Sequence, residues 1–150
     1  VLFSTALAPR EGLVAGTYAG STVGMAVGTR MIERLESEGF LGANGRIARL
    51  GCDIAERIDR LREKLPGAVG ESDGVGAMHA FVPFDGSAAT VREVLRAAFE
   101  EGVFVFSAGA APGRVRLLPP VNVTPAELED GFAALERALA RVARDRGRGC

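Results

Sequence analysis

Apolar residues recur along the chain at two periods, and the alternation between those periods divides it into helices and strands. From Ser21 to Glu38 the apolar positions Val23, Val27, Met31 and Leu35 fall four apart, which predicts one helix with Ser21 or Thr22 as N-cap and Gly39 as its stop. Gly24 and Gly28 lie on the same helix and lower its intrinsic stability by roughly 1 kcal/mol each relative to alanine, a cost that points to close packing on another backbone. A second helix is predicted from about Asn44 to Leu65, with Ile47, Leu50, Ile54, Ile58, Leu61 and Leu65 on one face, ended by Pro66-Gly67. A third runs from about Ala89 to Glu101, with Val91, Leu95, Ala98 and Phe99 inward and Gly102 as its cap. Thr124-Pro125-Ala126-Glu127 is a capping box with proline at the first helical position. It launches a final helix to about Arg144, whose inward face is Leu128, Phe132, Leu135, Leu139 and Val142.

The remaining segments read as strands and turns. Residues 1 to 8 form a short apolar run ended by Pro9-Arg10-Glu11-Gly12, and a loop then leads to Gly20. Residues 68 to 84 are Gly-rich and β-like, either two short strands or one broken strand centred on Ala77 to Val82, before a turn at Asp85-Gly86-Ser87. Val103 to Ser107 and Arg114 to Leu118 are further strands, the second running into Pro119-Pro120. The order helix, helix, strand or strands, helix, strand, strand, helix implies an α/β (α+β) layer with helices packed on one face of a small, mostly antiparallel sheet.

With 150 residues, 47% of them hydrophobic, the chain suits one domain with a substantial core. Charged residues make up 25% and nearly cancel to a net charge of −1, which gives no basic footprint for nucleic acid or an anionic membrane. No apolar run reaches the roughly 20 residues of a membrane span, and no signal peptide is apparent, so the cytoplasm is the expected compartment. Cys52 and Cys150 lie far apart and there is one histidine, so neither a disulfide nor a metal site is expected. The apolar start Val1-Leu2-Phe3, without an initiator methionine, reads as a piece of something longer.

Candidate chemistry is sparse. Gly16-Thr17-Tyr18-Ala19-Gly20-Ser21-Thr22 is a loop of glycines and hydroxyls entering a helix, whose free N–H groups and Thr17, Ser21 or Thr22 hydroxyls suit a phosphate; an ordinary capped helix after a flexible turn fits the same pattern. Arg116 sits in an apolar strand, where its planar fork matches a carboxylate or phosphate, unless Arg114 and Arg116 both point to water. His79 has no acid or nucleophile at a telling spacing and is read as structural. Glu71 and Asp73 read as a solvated turn. Lys64, the only lysine, lies beside the apolar stripe of its helix and is no Schiff-base candidate.

Taken together, Gly16-Thr17-Tyr18-Ala19-Gly20, Glu36-Ser37-Glu38-Gly39-Phe40-Leu41, Gly74-Val75-Gly76-Ala77-Met78, Glu101-Gly102-Val103 and Arg116-Leu117-Leu118-Pro119-Pro120-Val121 resemble, in order and spacing, the carboxy-terminal part of class III pyridoxal-phosphate-dependent aminotransferases. The resemblance implies the small domain of a fold-type I enzyme over residues 21–145, preceded by the end of the large domain at 1–20 and followed by a frayed tail at 146–150. It implies a homodimer in which Thr17, with Tyr18 in the same loop, contacts the phosphate of pyridoxal 5'-phosphate held by the partner subunit. It also implies that Arg116 binds the carboxylate of an amino acid or 2-oxoacid substrate. The lysine that would hold the cofactor lies upstream in that family, so no catalytic residue falls in this chain and the piece alone is expected to be inactive. Where the family loop usually continues Gly-Gly-Asn-Pro, this sequence has Ala19-Gly20-Ser21-Thr22; Ser72-Asp73-Gly74 replaces an Arg-Gly segment, and Val82-Pro83 stands where the central strand commonly ends in an acid. The amino donor is left unassigned. A non-catalytic ligand-binding or dimerisation module is the alternative, and it needs no missing half.

Overall fold

A computed structural model of the chain describes residues 16–18 and 20–147. They carry, in order, α1 (Thr22–Ser37), α2 (Arg46–Lys64), β1 (Val69–Val75), β2 (Met78–Pro83), α3 (Ala88–Glu100), β3 (Phe106–Ala108), β4 (Arg114–Leu117) and α4 (Pro125–Gly147). The chain divides into two compact units, Val1–Gly39 and Phe40–Cys150. The strand expected over residues 1 to 8, its closing turn and Cys150 lie outside the described residues.

In the first unit α1 begins as the sequence predicts: Ser21 is the N-cap, and its Oγ accepts the Gly24 N–H at 3.2 Å. Gly39 closes the helix with φ +70°, a conformation that glycine adopts without a Cβ penalty. The stripe Val23, Val27 and Met31 is more than half exposed, and no residue of α1 is buried. A Cβ on Gly24 would meet only Ser21, and one on Gly28 would meet nothing within 4 Å. The close packing expected from this glycine pair is therefore not found among the described residues.

In the second unit the four strands form one antiparallel sheet in the order β1-β2-β4-β3. β1 and β2 are a hairpin closed by the two residues Gly76-Ala77, with Val75 opposite Met78 and Gly76 at φ +55°. Burial alternates along β2 and β4, so that His79, Phe81, Pro83, Val115 and Leu117 face inward while Met78, Ala80, Arg114 and Arg116 face the other way. The inward face is covered by helices. α2 supplies Leu50, Ile54, Ile58 and Leu61, and α4 supplies Leu128, Phe132, Leu135, Leu139 and Val142, all in one core cluster with Phe81, Val115 and Leu117. Ile54, Ile58 and Leu139 are at most 1% exposed. Each such side chain contributes about 1.5–3 kcal/mol by leaving water, which sets the helices on this face and leaves the opposite one open.

α4 is tied to both neighbouring helices by ion pairs, Arg57–Glu129 at 3.2 Å and Lys64–Glu136 at 2.8 Å toward α2, and Arg137–Glu101 at 2.8 Å and Arg141–Glu100 at 2.7 Å toward α3. At exposed sites such pairs contribute about 1 kcal/mol or less each, so they orient α4 more than they hold it. Its capping box is formed, with Thr124 N–H donating to Glu127 Oε2 at 2.8 Å and Glu127 N–H donating back to Thr124 Oγ1 at 3.2 Å.

The fold class holds as read, but four further local expectations do not. Phe99 is 66% exposed, because the buried stripe of α3 runs through Thr90, Val91, Val94, Ala97 and Ala98, and Phe99 falls one helical step beyond it. The strand expected over Val103 to Ser107 starts only at Phe106, where pairing to β4 begins. Glu71 and Asp73 are not in a turn but on β1, two apart and on one face. α4 runs through Gly147, and Arg146, expected in the frayed tail, donates to Thr90 Oγ1 at 2.6 Å. No described helix is long and apolar enough to cross a membrane.

Candidate functional site

The open face of the sheet is where the second unit leaves polar groups without partners. Pairing sets Asp73, Ala80, Arg116 and Phe106 side by side across β1, β2, β4 and β3. Directly opposed residues in a sheet share a face, so the small Ala80 leaves a gap between a carboxylate and a guanidinium. A cleft of about 580 Å³ opens there, lined among others by Asp73, Met78, His79, Arg114 and Arg116.

Arg116 is half-buried, and its guanidinium carbon lies 5.2 Å from the centre of the Phe106 ring, a cation–π stack that fixes its plane. Its Nε is buried with no hydrogen-bond partner, and it makes no ion pair among the described residues. A buried N–H of a charged group left unpaired costs about 1–3 kcal/mol or more. This arginine thus presents a charged group with an unpaired buried donor on the face, and its fork is shaped for a carboxylate. Arg114 and Arg116 share this half-exposed face, as the sequence allowed, and both line the cleft.

Arg114, two residues earlier on the same face, donates from Nη2 to Glu71 Oε2 at 3.2 Å, while its Nη1 is buried without a partner. Asp73 Oδ1 accepts the Gly74 N–H at 2.8 Å. His79 is 8% exposed, and its Nε2–H donates to the Gly76 carbonyl at 3.1 Å, so the structural reading of this histidine holds: it braces the hairpin turn. The hairpin also rests on α2, because a Cβ on Gly51 would stand 2.8 Å from the Gly76 carbonyl oxygen; glycine allows that approach.

Thr17 and Tyr18 belong to the first unit and are exposed, Tyr18 by 87%. The Ser21 N–H donates to the Tyr18 carbonyl at 3.1 Å, which turns the chain into α1. Ser21 Oγ and Ser21 O take the N–H groups of Gly24 and Met25, while those of Thr22 and Val23 have no acceptor among the described residues. A helix start with free N–H groups next to an exposed threonine hydroxyl fits a phosphate. Lys64 is exposed and paired with Glu136, the opposite of the desolvated amine that Schiff-base chemistry needs.

A larger cleft of about 860 Å³ lies between α2 and the start of α4, lined by Arg46, Arg49, Cys52 and Asp53 among others. Its arginines are already occupied, Arg46 by the Val123 carbonyl and Arg49 by that of Asn44, so nothing in it converges on a ligand. Among the described residues no three His, Cys, Asp or Glu side chains cluster as a metal site. Sequence reasoning missed Phe106, Ala80 and the Arg114–Glu71 pair. The Val-Phe-Val-Phe run of 103–106 was the available signal for an aromatic beside β4, but cross-strand pairing had to supply the register.

The family described as aminotransferase class III matches residues 4–139 of this chain. A 5-aminovalerate aminotransferase of Pseudomonas putida is 31% identical over 146 residues, covering 94% of this chain and 33% of that protein. An acetylornithine aminotransferase of Gloeobacter violaceus is 31% identical over 128 residues, covering 85% and 30%. Among solved structures, the lysine aminotransferase of M. tuberculosis in its internal aldimine form superposes with a TM-score of 0.74 at 30% identity, over 89% of this chain and 29% of that one. The chain therefore spans about a third of the length of the curated relatives it matches. A family match that leaves out only three residues at one end and eleven at the other, on a sheet-and-helix layer shared with a solved aminotransferase, places the chain in the class III aminotransferase family.

Proposed function

We propose that this chain is the carboxy-terminal part of a pyridoxal-phosphate-dependent aminotransferase that moves an amino group from an amino acid or ω-amine to a 2-oxoacid. The observation that carries the proposal is Arg116, a half-buried guanidinium with an orphaned Nε, stacked on Phe106 in an open cleft. In this reading Arg116 binds the substrate carboxylate bidentately, Phe106 holds the guanidinium plane, and Ala80 leaves the space the carboxylate enters.

The residues present fit part of the cofactor. Thr17 and the free N–H groups at the start of α1 fit its phosphate, Tyr18 presents the loop, and the contact reaches a partner subunit in a homodimer. No residue here fits its covalent anchor, since Lys64 is exposed and paired; that lysine belongs to the two thirds of the relatives' length that this chain does not span. Pyridoxal phosphate, when bound, supplies the electron sink that makes bond breaking at the amine-bearing carbon accessible. Residues 21–145 then act as the small domain, closing on substrate with the carboxylate anchor, and residues 1–20 belong to the end of the large one.

The test uses the complete polypeptide that contains the chain. Its near-visible absorbance is recorded with and without pyridoxal phosphate, and then with 5-aminovalerate, N-acetylornithine and lysine as donors. A yellow band that bleaches with one donor is the expected result. A folded polypeptide that takes up no cofactor refutes the proposal and leaves a binding module.

A further inference from the structure

Val105 is buried, while Phe104 and Phe106 on either side of it are 69% and 40% exposed, so the two rings leave the extended segment on one side, that of the open sheet face. The end of α3 brings Phe104 there. Gly102, at φ +91°, follows the helix; its N–H donates to the Phe99 carbonyl at 3.1 Å, and the Val103 N–H donates to that of Ala98 at 2.9 Å. This closing motif fixes the direction in which the chain leaves a helix. Phe104 thereby returns to the last turn of α3 and meets Phe99, with ring centres 6.1 Å apart and planes at 77°. Phe104 meets Phe106 in turn at 5.2 Å and 76°, and the Arg116 guanidinium lies 5.2 Å from the Phe106 ring centre. Three rings thus make one row of contacts from α3 to the arginine of the cleft.

Burial does not account for this row. Phe99 and Phe104 are both about two-thirds exposed, so what each contributes comes chiefly from its edge-to-face contact with the next ring. Phe106 stands on a strand of three residues at the edge of the sheet, with a strand neighbour on one side only, and that neighbour is Arg116. Its ring is held along the strand by Phe104; without that contact it turns among the staggered wells of χ1. The guanidinium plane follows the ring it stacks on, and the direction of the fork decides whether it receives a carboxylate with two hydrogen bonds or with one.

We propose that Phe104, backed by Phe99, is a positioning residue for Arg116: its ring fixes Phe106, and Phe106 fixes the plane of the guanidinium. The inference rests on the carboxylate role of Arg116. Phe104 touches neither substrate nor cofactor, and its effect reaches a carboxylate only through Arg116.

The test is calorimetric titration of the complete holoenzyme with butyrate, an unreactive monocarboxylate. Phe104→Leu, which keeps an apolar side chain at an exposed position but removes the ring, is expected to weaken butyrate about threefold, the size one edge-to-face pair supports. Phe104→Tyr restores the ring and is expected to bind as the parent does, and Phe99→Leu, one contact further away, is expected to weaken butyrate less than Phe104→Leu. In an Arg116→Met background Phe104→Leu is expected to change nothing further, because the effect has lost its carrier. Parent-like binding by Phe104→Leu overturns the inference. So does a threefold loss that persists in the Arg116→Met background, or a Phe104→Tyr protein as weak as Phe104→Leu, since the ring would then serve the fold or another surface. If Arg116→Met itself leaves butyrate bound as before, it is the underlying reading of Arg116 that fails; if Arg116→Met weakens butyrate while Phe104→Leu does not, only the Phe104 inference falls.

Discussion

Replacing Arg116 by methionine removes a charge and keeps an unbranched side chain of similar length, so it separates what the residue does for the fold from what it does for a ligand. For the fold, the arginine holds its Nε buried without a partner and makes no ion pair among the described residues. Relieving that group returns about 1–3 kcal/mol. Against it stands the loss of the stack on Phe106, about 0.5–1 kcal/mol at a partly exposed position. Methionine retains contact with the ring through its sulfur, which reduces the loss further. The variant is therefore expected to be as stable as the parent, or more stable by up to about 2 kcal/mol.

For the ligand the sign is opposite. Two charge-assisted hydrogen bonds to a carboxylate are worth about 1.5–3 kcal/mol each when fully desolvated. The cleft is open, so the pair is discounted to about 3 kcal/mol, which lowers kcat/KM for an amino-acid donor about 100-fold. Urea unfolding reads the first quantity and single-turnover kinetics of the complete enzyme read the second. A variant destabilised by more than about 1 kcal/mol that keeps kcat/KM within about threefold of the parent would show that Arg116 serves the sheet rather than a substrate.

Two further outcomes follow from particular contacts. Gly51→Ala gains about 1 kcal/mol of helix propensity, yet its Cβ stands 2.8 Å from a backbone oxygen of the hairpin turn that cannot rotate away, so a net loss of about 1–2 kcal/mol is expected in thermal unfolding; a stabilised variant refutes the packing argument. Asp85 is held at a pKa of about 2, against an ordinary 3.8, first by the hydroxyl hydrogen bond from Thr90, then by the Ser87 N–H, and with a smaller contribution from Arg146. A lowered folded-state pKa stabilises above the unfolded value and is lost as pH falls, so the stability difference between the parent and Asp85→Asn should be constant above about pH 5 and shrink between about pH 4 and pH 2. A difference that stays constant down to pH 2 would show that the charge of Asp85 is not what holds the β2–α3 turn.

The helices were legible because their evidence is local and repeated. Leu50, Ile54, Ile58 and Leu61, or Leu128, Phe132, Leu135 and Leu139, state a face several times over, and that face is buried. Where a segment offered one chance the reading slipped. Phe99 looked inward because it is aromatic, but the stripe of α3 is set by the small residues Ala97 and Ala98, which a hydrophobicity pattern underweights. Glu71 and Asp73 looked like a turn because glycines surround them, yet those glycines serve the hairpin: Gly74 sits under the His79 ring, and Gly76 takes the positive φ. The stripe of α1 was legible as a helix, but its burial was not, since none of the described residues of its own unit covers it.

The site illustrates a different limit. Alternation along β4 says that Arg114 and Arg116 share a face, but not what lies on either side, because strand neighbours are fixed by pairings between residues 6 to 38 positions apart in sequence. Ala80 opposite Arg116 makes the cleft, Phe106 opposite it makes the stack, and Glu71 two strands away gives Arg114 its one partner. None of these is a motif. A larger residue at position 80 would fill the gap and leave the same Arg-Leu-Leu-Pro-Pro segment with an arginine that no carboxylate could reach, so the role proposed for Arg116 depends on a residue that carries no chemistry of its own.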